Sequence, residues 1–212
     1  IGLIVRNKDW KNWLNKMSVE AVKNIPKKVT LPRPGHADLA GVEKYGFDDI
    51  RNVLERSSAR ETTMRVALAS ICRKLLEQLG INVASRVVQI HNVVDTSKIP
   101  KEINTKELNT LADKSPVRCL NDGIGKEMIN IIDHAKKQGD SVGGIFEIIA
   151  TGMPHGLGSY TQWDRKLQSK ITSLMMSVNA YKAIEIGSGF DTGAKFGSEI
   201  HDEIGWNGER YT

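Results

Sequence analysis

The sequence has only two cysteines, Cys72 and Cys119, with no C-x-x-C pair and no companion histidines. That excludes a disulfide framework and a structural zinc site, and points to reduced thiols in a cytoplasmic protein. No apolar run approaches the roughly 20 residues of a membrane span and no signal-peptide pattern heads the sequence, so no membrane partner is expected. Lysine and arginine form no run, aromatics are 6% of residues, and no nucleic-acid motif is present, so no nucleic-acid partner is expected. There is no fixed-period repeat, no G-x-G-x-x-G and no P-loop G-K-[ST]. His201-Asp202-Glu203 are adjacent and lack a second ligand pair, which argues against a metal site.

What remains is ordinary in bulk and uneven in detail. Apolar residues at 40% and charged residues at 26% are globular values, and 212 residues suffice for one well-buried core. The reading is a single core domain over 1–212, with a lysine-rich flexible link at 18–30. Thirty basic against 25 acidic side chains give +5, which favours anionic ligands.

The unevenness centres on 33–63, RPGHADLAGVEKYGFDDIRNVLERSSARETT. It holds Arg33, His36, Arg51, Arg56 and Arg60, with His36 on a loop that Pro34 stiffens and Gly35 frees. Ser58-Ala59-Arg60-Glu61 fits the S-x-x-E capping box, in which the Ser58 hydroxyl accepts from the Glu61 amide and Glu61 reaches back. An apolar stripe follows at helical spacing (Met64, Leu68, Ile71, Leu75, Leu79), and Gly80 stands at the expected C′ position. Free amides, the helix dipole and flanking guanidiniums would suit an anion there. The same residues also fit a capped surface helix and a solvated loop histidine.

Elsewhere the patterning predicts a strand at 1–6 and a shared helical face for Trp10 and Trp13. It predicts a strand from Ile81 to Ile90, a helix over Thr105–Ala112 capped by Thr105, and a helix over Asn121–Gln138 stopped by Gly139. Val142–Ala150 reads as a strand that Gly143-Gly144 interrupts with a bulge or a close backbone approach. Residues 153–159 form a glycine-rich loop containing His155, Trp163–Val178 a strongly amphipathic helix, and 183–187 a strand. Irregular alternation of strands with long helices favours α+β.

The ordered set of motifs closely resembles the chorismate synthase family. RPGHADLAG, KYG and RNVLERSSARETTMRVA are followed by SPVRC (115–119), GDSVGG (139–144), GLGSY (156–160), WDRKL (163–167) and NAYKAIEIGSGF (179–190). The resemblance covers essentially the whole sequence. It implies a helical layer held between two antiparallel sheets, a homotetramer in the complete enzyme, and a carbon–oxygen lyase of the shikimate pathway. The family eliminates phosphate from 5-enolpyruvylshikimate 3-phosphate by a 1,4-anti elimination, with reduced FMN as cofactor and NADPH as a possible reductant. Motif by motif, Arg33 and Arg60 fall on the family's substrate-binding arginines. Arg56, Ser57 and Ser58 fall on one FMN-contacting segment, and Asn179 and Ala180 on a second, although Asn179 and Ala183 stand where the family varies. His36 falls on an invariant histidine thought to act beside the reduced flavin, as proton donor or as stabiliser of its charge.

Ile1 resembles a point well inside the family's N-terminal third. The Ser-His motif with its following arginines, and the C-terminal Lys-Pro segment with its last arginine and acidic residue, have no counterpart. The expectation is an internal piece of the enzyme that does not turn over substrate alone. The alternative class is a non-catalytic basic module for acidic partners.

Overall fold

The computed structural model describes all residues except 1, 21, 25, 26, 100–103, 210 and 212. The chain divides into two compact units, residues 1–5 with 64–155, and residues 6–63 with 156–212. The class is α+β, as the patterning implied. One three-stranded antiparallel sheet lies among the described residues.

The unit with residues 64–155 is built on that sheet, in the order β2 (Val93–Val94), β1 (Asn82–Ile90), β3 (Gly144–Thr151). β1 forms where alternation predicted it, and His91 ends it with a left-handed φ of 52°. The anticipated irregularity at Gly143-Gly144 resolves into two features. The bulge sits on β1 between Val87 and Gln89. Gly144 is the close approach, because a Cβ there would meet the Gln89 carbonyl oxygen at 2.7 Å. Helices α4 (Thr105–Ala112) and α5 (Asp122–Gln138) match their predicted spans. The cap of α4 is Asn104 rather than Thr105, since the Asn104 side chain accepts from the Glu107 amide at 2.9 Å. Thr105 is instead buried inside the helix start. Ile81, Ala84, Leu108, Ala112, Cys119, Met128 and Ala135 form this unit's core.

A polar cluster crosses that core. Buried Arg86 donates from Nε to Glu147 on the facing strand at 2.7 Å and from Nη1 to the Ser97 carbonyl at 2.7 Å. Buried Asp95 lies 4.0 Å from the same guanidinium and accepts from Cys119 Sγ at 3.3 Å. Burial pushes the Cys119 thiol up. Both cysteines are free.

Helix α3 (Ala59–Gln78) contributes its first turn to one unit and the rest to the other. Gly80 stands at the expected C′ position, and the helix ends in a Schellman motif: Gly80, at φ +77°, donates to Glu77 O, and Ile81 donates to Leu76 O at 2.9 Å. The predicted stripe forms on the helix, yet Met64, Leu68, Leu75 and Leu79 are all exposed.

In the unit with residues 6–63 and 156–212, a 3-10 turn (Trp10–Asn12) precedes α1 (Asp38–Tyr45) and α2 (Arg51–Ser57). Gly41 lets α1 and α2 meet, because a Cβ there would fall 2.7 Å from both Val53 methyls. The 18–30 stretch is tied down at its end: Lys28 pairs with Asp48, Val29 N–H donates to Asp49, and Ile50 N–H donates to Val29 O. Two predicted strands and one predicted helix differ from expectation. Residues 2–6 and 183–186 are irregular, because neither stretch has a ladder partner among the described residues. The predicted helix over Trp163–Val178 is broken into a 3-10 turn (Trp163–Arg165) and α6 (Leu167–Met176). Lys166 is extended at ψ 135°, and Gly158 presses on Leu167, where a Cβ would stand 2.8 Å from its backbone nitrogen.

Candidate functional site

All the predicted site residues fall in the unit of residues 6–63 and 156–212. Three local structures carry them. The first is the turn before α1, where Pro34 and Gly35 (φ +73°) occupy the central positions and His36 N–H donates to Arg33 O at 3.4 Å. A left-handed second central residue is what a type II turn requires. His36 is exposed at its end. Arg33 folds back onto Asp38, donating Nε at 2.9 Å and Nη2 at 3.0 Å, while its backbone N–H donates at 3.0 Å. Asp38 is 0% exposed. Hydrogen bonds from the Arg33 side chain hold its carboxyl at about 2, against the opposing pull of burial.

The second is the α2–α3 junction. Ser57 Oγ donates to Val53 O at 3.0 Å. Ser58, extended at ψ 148°, stands at the N-cap of α3. Its hydroxyl accepts from the Arg60 backbone at 3.3 Å and from Arg60 Nη1 at 3.1 Å rather than from the Glu61 amide, as the capping box predicted, because that amide donates to the Ser58 carbonyl. Arg60 also donates Nη2 to Asp9 at 3.2 Å and lies over the Trp13 ring, 5.9 Å from its centroid. Trp13 in turn donates Nε1 to Asp9 at 2.7 Å. Hydrogen bonds from Asn12 and Trp13, with the Arg60 charge behind them, keep Asp9 below the ordinary carboxylate value. Arg56 is the most open of these cations, with 85% of its side chain exposed and Glu55 beside it at 3.1 Å. Arg51, by contrast, is occupied: its side chain bonds Asp49 and the Lys16 carbonyl.

The third is the turn after α6. Asn179 and Ala180 are its central residues, Tyr181 N–H donates to Val178 O at 3.4 Å, and Ala180 has φ +72°. A left-handed alanine costs about 1–2 kcal/mol. Strain of this kind gathers where a backbone must present itself to a ligand.

Residue reading missed Asp9 and Asp38, the carboxylates that hold Arg60 and Arg33. Asp38 left one usable sign, an acid in the first turn of a helix five residues after an arginine. Asp9 left none, because it lies 51 positions from Arg60.

The fold is α+β, with a capped helix start and a left-handed turn that each carry an arginine paired with a carboxylate. Comparison with known proteins sharpens the class. The chorismate synthase family model matches residues 1–211. "Chorismate synthase 2" of Bacillus cereus is 49% identical over 99% of this chain and 55% of that protein. "Chorismate synthase" of Geobacillus sp. is 48% identical over 99% of this chain and 54% of its own length. A solved structure, "Crystal Structure of Chorismate Synthase", superposes with a TM-score of 0.76 at 42% identity, covering 83% of this chain and 55% of that one. The chain therefore belongs to the chorismate synthase family. It spans about half the length of the curated relatives it matches. No helix among the described residues is long and apolar enough to cross a membrane.

Proposed function

We propose that this chain's site residues serve the chorismate synthase reaction, the 1,4-anti elimination of phosphate from 5-enolpyruvylshikimate 3-phosphate. The supporting observation is that Arg33 and Arg60 each pair with a carboxylate while keeping about half their side chains exposed. A substrate with one phosphate and two carboxylates needs guanidiniums, which grip oxyanions as forks where lysine offers a point charge.

In this reading Arg33 and Arg60 bind and orient the substrate's anionic groups, and His36 holds or delivers a proton from its ring nitrogen. The α3 N-terminus adds backbone amides and the positive end of its dipole. The elimination breaks the carbon–oxygen bond to phosphate, removes a ring proton and forms a double bond, without net oxidation. The donor set also fits reduced FMN. Arg56 offers an open cation to its phosphate, Ser57 offers hydroxyl lone pairs, Ser58 offers its O–H, and the strained Asn179-Ala180 turn offers backbone. Bound there, reduced FMN would supply electron density that eases departure of phosphate.

The same reading makes the enzyme a cytoplasmic homotetramer with NADPH as reductant. The bare apolar residues of α3 and the exposed Ile145, Phe146 and Ile148 of β3 support association. Flavin fluorescence titration tests the assignment. FMN emission should quench on adding this chain, and more strongly with the phosphorylated substrate present. Emission unchanged under both conditions rejects it.

A further inference from the structure

Asp38 has no part in the reading above, yet both Arg33 and the turn carrying His36 lean on it. It is the first residue of α1 and fully buried. Its three recorded hydrogen bonds all come from Arg33: the backbone N–H and Nε on Oδ2, and Nη2 on Oδ1. Residues 33–38 therefore close on themselves twice, through the turn bond from His36 to Arg33 and through the guanidinium fork on Asp38. The fork uses the Nε–Nη2 edge and leaves Nη1 on a side chain that is 49% exposed.

We propose that Asp38 is a positioning residue. It touches no ligand; it locks Arg33 so that the Nη1 edge meets the incoming anion, and it fixes the turn that sets His36. The proposal rests on the reading that Arg33 binds the substrate's anion. A long side chain ordered before binding does not have to be ordered by the ligand, so affinity is gained through preorganisation.

The sign of one substitution separates this role from simple charge. Asp38→Asn removes a negative charge next to an anion site, and Coulomb's law alone would tighten anion binding. Loss of positioning weakens it, by roughly three- to tenfold for one freed arginine. Asp48→Asn is the charge-matched control, since Asp48 is 74% exposed and pairs with Lys28 rather than Arg33.

The test is titration of this chain with inorganic phosphate, followed by NMR, for wild type, Asp38→Asn and Asp48→Asn. Weaker binding by Asp38→Asn, with Asp48→Asn unchanged or tighter, supports the proposal. Equal or tighter binding by Asp38→Asn overturns it alone. Wild type that ignores millimolar phosphate overturns the site reading and this inference together.

A wild-type measurement decides the matter should Asp38→Asn fail to fold. The Arg33 Nε–Hε signal should exchange with water at least tenfold more slowly than that of exposed Arg56, as a fixed fork requires. Equal exchange at the two arginines overturns the proposal.

Discussion

Acid is the perturbation to which the buried carboxylates around this site give a number. Asp38 and Asp49 are each held at about 2 instead of 3.8, Asp38 by the Arg33 side chain and Asp49 by that of Arg51, with burial opposing in both. The folded value lies below the unfolded one, so each group stabilises the fold while ionised. That contribution is complete above about pH 4 and is lost as pH falls through the folded value near 2. The difference between 3.8 and about 2 converts to roughly 2 kcal/mol per carboxylate. Two such groups sum to about 4 kcal/mol, a large share of a typical domain's stability of about 5–15 kcal/mol. The readout is selective, because Trp10, Trp13, Trp163 and Trp206 all lie in residues 6–63 and 156–212. Urea unfolding followed by tryptophan fluorescence should lose about 4 kcal/mol between pH 5 and pH 2 in wild type. Asp38→Asn and Asp49→Asn should each remove about half of that dependence, since an amide cannot titrate. A flat wild-type profile, or an Asp38→Asn profile as steep as wild type, refutes the reasoning.

Three further outcomes follow from the same contacts. Asp9→Asn releases a half-exposed partner of Arg60, so phosphate affinity should rise about two- to fivefold, the scale of an exposed pair; unchanged calorimetric affinity would count against Asp9 as a competitor. Arg86→Ala leaves Asp95 buried beside a lost guanidinium and should cost about 3–5 kcal/mol by circular dichroism in urea, whereas a cost below about 1 kcal/mol would show the cluster to be solvated. Gly152→Ala adds a Cβ that would stand 2.1 Å from the Gly80 carbonyl oxygen at φ +74°, so it should lower Tm by several degrees, and an unchanged Tm would show that the strand end can shift.

The elements that could be read from sequence are those whose signals are local. Gly80 and Gly139 stop α3 and α5 where a left-handed residue was needed, and alternation located β1. Reading failed where a partner decides. Residues 2–6 and 183–186 have strand composition, but a strand exists only when another chain segment takes its hydrogen bonds. The α6 helix was over-extended because hydrophobic spacing continues through Lys166, whereas Lys166 is extended and the Arg165 carbonyl accepts from the Ser159 amide, outside any helix. Of the candidate site, Arg33, Arg60, His36 and the Ser58 cap position were legible as residue types in one segment. The carboxylates that determine how those arginines are held were not.

The two arginine–carboxylate pairs look alike in a contact map and differ in physical consequence. Asp38 is fully buried, receives a fork plus a backbone amide, and belongs to the same short segment as its arginine. Releasing Arg33 would strand a buried charge, so that pair persists when an anion arrives. Asp9 is about half exposed, shares its carboxylate among Asn12, Trp13 and Arg60, and meets Arg60 through a single bond at 3.2 Å. An exposed pair of that kind is worth about 0–1 kcal/mol, less than a phosphate dianion gains from the same guanidinium in a partly desolvated site. Ligand binding should therefore leave Arg33 where it is and take Arg60 from Asp9. On the proposed reading one arginine would then set the geometry of recognition, and the other would exchange a resident carboxylate for the incoming anion.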